Sequence, residues 1–224
     1  MRNRVLLAVP VHNEAPRLGV VLDRALDFVA PEDLLIIDDG STDGTRALVR
    51  SRNLALIEHT HNQGKGACIK HAIRYGKEKN YQWLLCMDGD GQHDPREIDK
   101  FLRLIERDRA DLILGNRINR RGRMPFLRQA SNLFTSLILS FMIQRGRPVR
   151  DSQCGFRAVR LSAVKEAWFC ETGFQFESEL LLVLGRRSCV IEQIPITTLY
   201  GDQQSKINLL RDTYRFIRLV IKSL

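Results

Sequence analysis

The sequence predicts an α/β fold, a mostly parallel sheet covered by helices on both faces. Three observations carry the prediction. Short apolar runs alternate with stretches whose apolar residues recur at helical spacing. The connections between them are short, as in parallel sheets wound through helices. Polar, glycine-containing segments follow the apolar runs, at what would be the carboxyl ends of strands.

Residues 4–10 (RVLLAVP) read as a first strand; the basic start and apolar run resemble a leader peptide, but the run is too short and lacks a small-residue cleavage site. Leu18, Val21, Leu22, Leu26 and Val29 give 15–29 helical spacing. Residues 33–38 (DLLIID) form a second strand, and 42–50 a helix opened by a Thr/Asp cap. A third strand at 54–59, a helix at 66–78, a fourth strand at 82–87, a helix at 95–107 and a fifth strand at 111–115 complete the alternation. After Gly115 the pattern changes. Residues 116–128 carry five arginines, 125–144 is a long amphipathic stretch, helices are expected near 161–168 and 176–186, and a strand at 189–194. In 207–224, Arg211, Arg215, Arg218 and Lys222 line one helical stripe beside Leu210, Tyr214, Ile217 and Ile221.

The 224 residues are 44% apolar and 27% charged, with no repeat and no linker-like composition, so one continuous globular domain is expected. Five scattered cysteines without CxxC spacing read as free thiols. A net charge of +9 points to a partner bearing phosphates: nucleotide, nucleic acid or anionic lipid. With 7% aromatics and no exposed aromatics interleaved in the basic clusters, nucleic acid is not expected. The longest apolar run, 133–143, is far short of the ~20 residues that span a bilayer.

Three polar segments follow strands one, two and four: PVHNE (10–14), DDGSTDGT (38–45) and MDGDGQHD (87–94). They converge on one sheet edge, where open parallel sheets bind ligands. Asp38 and Asp39 can accept hydrogen bonds from a nucleobase imide and a ribose hydroxyl. Asp88 and Asp90 offer hard oxygen ligands to Mg²⁺ or Mn²⁺, which would bridge diphosphate oxygens, and Gln92 could complete the set. NQGKGA (62–67) opens a helix with Gly64 and Lys65, a place for phosphate or sugar. For single segments the alternatives are turns and helix caps.

These pieces, VPVHNE, IIDDGSTDGT, NQGKGACIKHA and MDGDGQHDP, continued by DSQCGFRAVR and YGDQQSKIN, resemble the family 2 glycosyltransferases of the GT-A (Rossmann-like) fold over residues 4–210. The resemblance implies a nucleotide-sugar half at about 1–115, an acceptor half at about 116–206 and an amphipathic C-terminal helix at about 207–224. It implies that Pro10, Asn13, Glu14 and Asp39 contact the nucleoside and that Asp88 and Asp90 form the DxD metal motif. Gln92 resembles a third ligand in the polyprenyl-phosphate branch, which includes dolichyl-phosphate mannose synthases and glucosyltransferases; His93 shapes the loop. Arg117 matches an arginine facing an acceptor phosphate, with Arg128 and Lys206 as similar candidates; a surface role is the alternative for Arg117 and Arg128. DSQCGFR departs from the base motif of members with hydroxyl acceptors. Asp151 is the nearest carboxylate for a base, and its favoured reading is a loop carboxylate that orders Arg157 or Arg117. Glu177 and Glu179 read as helix caps or solvated residues; the alternative is that one of them reaches the acceptor sugar or a positioning arginine.

The implied reaction is metal-dependent inverting transfer of a hexose from a UDP-sugar or GDP-mannose to a polyprenyl phosphate. The alternatives are a saccharide hydroxyl or other lipid acceptor, and a non-catalytic nucleotide-binding module. The amphipathic stretches suggest a peripheral protein on an anionic membrane surface at the cytoplasmic face; packing on the sheet or a homo-oligomer interface is the other use for them.

Overall fold

The computed structural model describes residues 3–117, 126–143, 148–199 and 209–222, without the side chains of 126–128 and 209–212. Seven strands form one sheet in the order β3-β2-β1-β4-β6-β5-β7. They are β1 (Val5–Val11), β2 (Leu34–Asp38), β3 (Ala55–Glu58), β4 (Trp83–Cys86), β5 (Leu112–Asn116), β6 (Arg157–Arg160) and β7 (Ile191–Pro195). β6 is antiparallel to both its neighbours, β4 and β5; the other pairings are parallel.

Alternation along each strand builds two cores. In β1, Leu7, Val9 and Val11 face one side with Leu34 and Ile36 of β2, and Trp83 and Leu85 of β4. That side is covered by α1 (Ala15–Ala25), α2 (Thr45–Ser51) and α4 (Ile98–Glu106) through Leu18, Leu22, Val49, Ile98 and Phe101. Leu6 and Ala8 face the other side with Leu35, Ile37, Leu84 and Cys86. There α3 (Lys65–Glu78), α5 (Phe126–Ile143), α6 (Phe176–Arg186) and α7 (Leu209–Lys222) pack through Ile69, Ile73, Leu139, Leu181, Phe216 and Leu219. The β1, β2 and β4 strands are apolar on both faces, so their runs read as continuous in the sequence.

The structure departs from the sequence expectations in three places. Residues 161–168 form two short 3₁₀ turns, Leu161–Ala163 and Glu166–Trp168, rather than an α-helix. The strand β6 was not expected. Its four residues, RAVR, begin with a charge that points inward: Arg157 is buried and donates to the carbonyls of Ser152, Cys154 and Glu177. A buried arginine satisfied by carbonyls erases the polar/apolar alternation that marks a strand. Finally, α2 begins at Thr45 rather than 42, after Asp43 accepts from the Thr45 backbone at 2.9 Å.

The helix α5 buries polar residues beside its core residues Leu139 and Ile143. Its polar residues Asn132, Thr135 and Ser136 are buried against the loop before β6. Ser136 Oγ lies 3.0 Å from Ser152 Oγ and accepts from Ser152 N at 2.9 Å, and Thr135 Oγ1 lies 3.1 Å from the same hydroxyl. Its large apolar residues Leu133, Phe134, Leu137 and Phe141 face outward, with Leu137 68% and Phe141 77% exposed. The helix α7 buries Phe216 and Leu219 and exposes Tyr214, Ile217 and Ile221 beside Arg215, Arg218 and Lys222. Tyr214 thus corrects the expectation that the basic clusters carry no exposed aromatic, because Phe216 and Leu219 take the inward face of the helix.

Candidate active site

The carboxyl ends of β1, β2, β4 and β5 lie along one edge of the sheet, and the loop entering the antiparallel β6 returns to it. The first two loops are sewn together. Pro10 is half-buried near the end of β1, paired with Ile37. Asn13, at φ 56°, accepts from Thr42 N at 2.8 Å, and its own N–H donates to Ser41 Oγ. Glu14 is buried; its N–H donates to Thr45 Oγ1 and its carboxylate lies 3.7 Å from Arg17.

The two aspartates after β2 differ in their engagements. Asp38 is wholly buried, paired with Arg46 Nε at 2.5 Å and accepting from Ser41 N. Asp39 reaches across to the start of α3, where it accepts from Gln63 N at 2.8 Å, Gly64 N at 2.9 Å and His59 Nδ1 at 2.8 Å. The Gly64 amide expected to meet phosphate or sugar thus binds Asp39. Asp39, His59 and Cys68 are the group of metal-type side chains that lies within 4.8 Å among the described residues. All three are buried, and Asp39 already holds three N–H donors, so this cluster reads as structural.

The doubled Asp-Gly after β4 has a different use for each residue. Gly89 packs on β1, where a Cβ would come within 2.5 Å of Val11 Cγ1, and Gly91 turns the chain at φ 77°. Asp90 accepts from Gln92 N at 2.9 Å, and Gln92 O accepts from Leu199 N. His93 is buried, 3.3 Å from Asp88 through Nε2 and edge-on to Phe156. Asp94 caps the following 3₁₀ turn through Arg96 N. Asp88 Oδ1 meets Lys65 Nζ at 2.5 Å, and the same ammonium meets Glu177 Oε1 at 2.7 Å. Burial opposes ionisation of Asp88, but the Lys65 charge and the His93 contact win and hold its carboxyl well below the ordinary range. Burial likewise opposes the Lys65 charge, and Asp88 and Glu177 overcome it. The Asp88, Asp90 and Gln92 loop supplies the hard oxygen donors that Mg²⁺ or Mn²⁺ takes, and Asp88 already keeps a cation at contact distance, so these residues fit a divalent ion.

On the acceptor side, Arg117 follows β5 and grips Asp151. Its N–H and Nε donate to Asp151 Oδ2 at 3.0 and 2.8 Å, and Nη2 to Oδ1 at 2.9 Å. Asn132 of α5 adds a fourth bond at 2.8 Å. Burial pushes against ionisation, yet the guanidinium and these bonds keep the Asp151 pKa below the usual value. The side chain of Arg128 and all of Lys206 lie outside the described residues.

Sequence reasoning missed His59 and Asn132 as site residues, and for Glu177 it preferred a cap or a solvated face to a place in the site. An acidic residue in a first helical turn looks like a cap, but α6 has no side-chain cap: Glu179 is buried and accepts from Cys170 N and Glu171 N of the preceding loop. Glu177 is buried too and turns to Lys65, a placement visible only once α6 is packed.

Residues 7–168 match the family model for glycosyl transferase family 2. Among curated proteins, an undecaprenyl-phosphate mannosyltransferase of Micrococcus luteus is 30% identical over 205 residues, covering 87% of this chain and 83% of that protein. A UDP-N-acetylglucosamine–dolichyl-phosphate N-acetylglucosaminyltransferase of Methanococcus voltae is 27% identical over 88% of this chain and 86% of its own length. Among solved structures, glucosyl-3-phosphoglycerate synthase from Mycobacterium tuberculosis, in complex with Mn²⁺, UDP and phosphoglyceric acid, superposes with a TM-score of 0.73 at 16% identity, over 99% of this chain and 77% of that one. This last likeness is one of fold.

Proposed function

From the premise that this chain belongs to glycosyl transferase family 2, and is therefore a glycosyltransferase, we propose that it moves a hexose from a nucleoside diphosphate sugar to a polyprenyl phosphate in one inverting displacement. The observation that carries the reading is the state of Asp151. Among the described residues, four hydrogen bonds reach its carboxylate, three of them from Arg117. It holds a guanidinium rather than waiting for a proton. A sugar hydroxyl would need a base in this place. A phosphate monoester, with a second pKa near ~6, is already an anion at neutral pH and needs a cation to aim it. The relatives named for undecaprenyl and dolichyl phosphate support the same acceptor class.

In this reading Pro10, Asn13, Glu14 and Asp39 frame the nucleoside, with Asp38 holding the turn that presents Asp39. Asp88, Asp90 and Gln92 would hold Mg²⁺ or Mn²⁺, which when bound would supply positive charge to the leaving diphosphate. Arg117, positioned by Asp151 and Asn132, directs the acceptor, joined by Arg128 and Lys206. An acceptor phosphate oxygen attacks the anomeric carbon and forms the new C–O bond. The bond from that carbon to the diphosphate oxygen breaks, and its electron pair leaves with the nucleoside diphosphate. No proton changes hands.

The acceptor lies in a bilayer, and no helix among the described residues is long and apolar enough to cross one. The outward apolar stripe of α5 and the basic edge of α7 suit a surface of anionic lipid instead, where each cation near the surface is worth about 1 kcal/mol. Replacing Leu137 and Phe141 together by glutamate is therefore expected to lower binding to phosphatidylglycerol vesicles by at least tenfold, given ~1.5–3 kcal/mol for each fully buried side chain. Hydrolysis of the donor in solution should be unchanged. Vesicle flotation reads the first quantity; unaltered flotation would assign α5 another partner.

The test of the function is label transfer. Purified protein is given Mg²⁺ or Mn²⁺, radiolabelled UDP-glucose or GDP-mannose, and either a short polyprenyl phosphate or the matching polyprenol. Label extracted into butanol with the phosphate, absent with the alcohol and lost in EDTA, is the expected result. Label that requires a hydroxyl acceptor overturns the phosphate assignment.

A further inference from the structure

One cation of the site, a lysine, is held between two carboxylates. Lys65 opens α3, its side chain is 12% exposed, and its ammonium is gripped by two carboxylates from separate elements, Asp88 after β4 and Glu177 in the first turn of α6. Glu177 Oε1 has no hydrogen bond besides that ion pair, and its other oxygen lies 4.0 Å from Arg157 Nη2. The chain leaves room for this arrangement at Gly155, where a Cβ would overlap both Lys65 Nζ and an Asp88 oxygen. Three packed segments thus converge on one nitrogen.

A divalent ion on Asp88 and a lysine on Asp88 compete. They call on the same carboxylate, and two cations a few ångströms apart repel. The diphosphate of a donor removes the conflict, because it offers Lys65 another anion. We propose that Lys65 is a resident counter-cation that neutralises Asp88 while the donor site is empty and turns to the diphosphate when metal and donor enter, with Glu177 as the positioning residue that keeps it beside both. Metal and nucleotide then bind cooperatively, each raising the affinity of the other by the same factor. The inference rests on the reading of Asp88 and Asp90 as metal ligands.

The test is Mn²⁺ binding, followed by electron paramagnetic resonance of the free ion, on the whole chain with and without UDP or GDP. Lys65→Met is expected to bind Mn²⁺ at least about tenfold more tightly than wild type without nucleotide, since Asp88 loses its competitor. It should also lose most of the enhancement that nucleoside diphosphate gives the wild type. Should Lys65→Met alone fail to fold because buried Glu177 is left with only the more distant Arg157 guanidinium, the double variant Lys65→Met/Glu177→Gln removes that charge and should show the same two effects. Glu177→Gln alone leaves Lys65 on Asp88, so nucleotide-free Mn²⁺ binding stays at the wild-type level while KM for the donor rises. A folded Lys65 variant with unchanged or weaker Mn²⁺ binding overturns the exchange and leaves the metal site standing. A wild-type chain that binds no Mn²⁺ with either nucleotide overturns the metal reading and the exchange with it.

Discussion

Asp90→Ala is expected to lower kcat for sugar transfer by about a thousandfold, equivalent to ~4 kcal/mol of transition-state stabilisation. The charge on the departing diphosphate grows as the anomeric bond breaks, and a ligand to the ion that meets this charge acts mainly in the transition state. The fold should be nearly indifferent. Asp90 is only half-buried in its loop, and its bond from Gln92 N is a neutral amide contact worth ~0.5–1.5 kcal/mol or slightly more to a carboxylate. A thermal melt within a few degrees of wild type, together with the lost turnover at saturating donor, is the expected pair of results. Wild-type turnover by the variant in excess chelator would remove the metal from the reaction.

Arg117→Ala is the second large effect. Transfer to polyprenyl phosphate should fall by about 10²–10³-fold, the range for removing a positioned charge that meets the reacting group. Slow hydrolysis of the donor should survive, because no donor contact is lost. Stability should fall too: the buried Asp151 keeps only the backbone N–H of residue 117 and Asn132, and breaking a buried pair costs ~3–5 kcal/mol. Arg117→Lys should rescue little, since one ammonium cannot reproduce the two-pronged grip through Nε and Nη2. The companion Asp151→Asn separates positioning from base catalysis. If Asp151 is a positioning carboxylate, Asp151→Asn leaves the shape of the kcat–pH profile intact while the rate drops; if it is a base, the variant loses the acidic limb that such a base would give the wild type. Loss of that limb in Asp151→Asn would reopen the hydroxyl acceptor.

Much of the fold was legible because the strands that hold the site are apolar on both faces. β1, β2, β4 and β5 appear as short uninterrupted runs, and the polar loops behind them are therefore easy to place at one edge. β6 was not legible because its first residue is an inward arginine whose partners are carbonyls, which leave no mark on a sequence. The same limit applies to α5. Its periodicity shows two faces but not which is inside, and the hydroxyls of Ser136 and Ser152 that draw the polar face inward are ordinary surface residues until paired. In the site, the residues sharing a strand end were found together. The partner of Lys65 was not, since Glu177 lies more than a hundred positions away on a helix that reads as capped.

The place of β6 in the sheet also bears on how the chain assembles at the ribosome. Strands β1 to β4 can pair as soon as they emerge, but β5 joins them only through β6, and β6 is made some forty residues later. At ~5–20 residues per second, β4, which ends at Cys86, presents an open edge for roughly 4–15 s of synthesis until β6 is complete at Arg160. That edge is apolar on both faces, the kind of strand that recruits another chain. The antiparallel strand is thus the late bolt of the structure, and substitutions that weaken it should first be felt in the yield of nascent protein, before any loss of catalysis is measured.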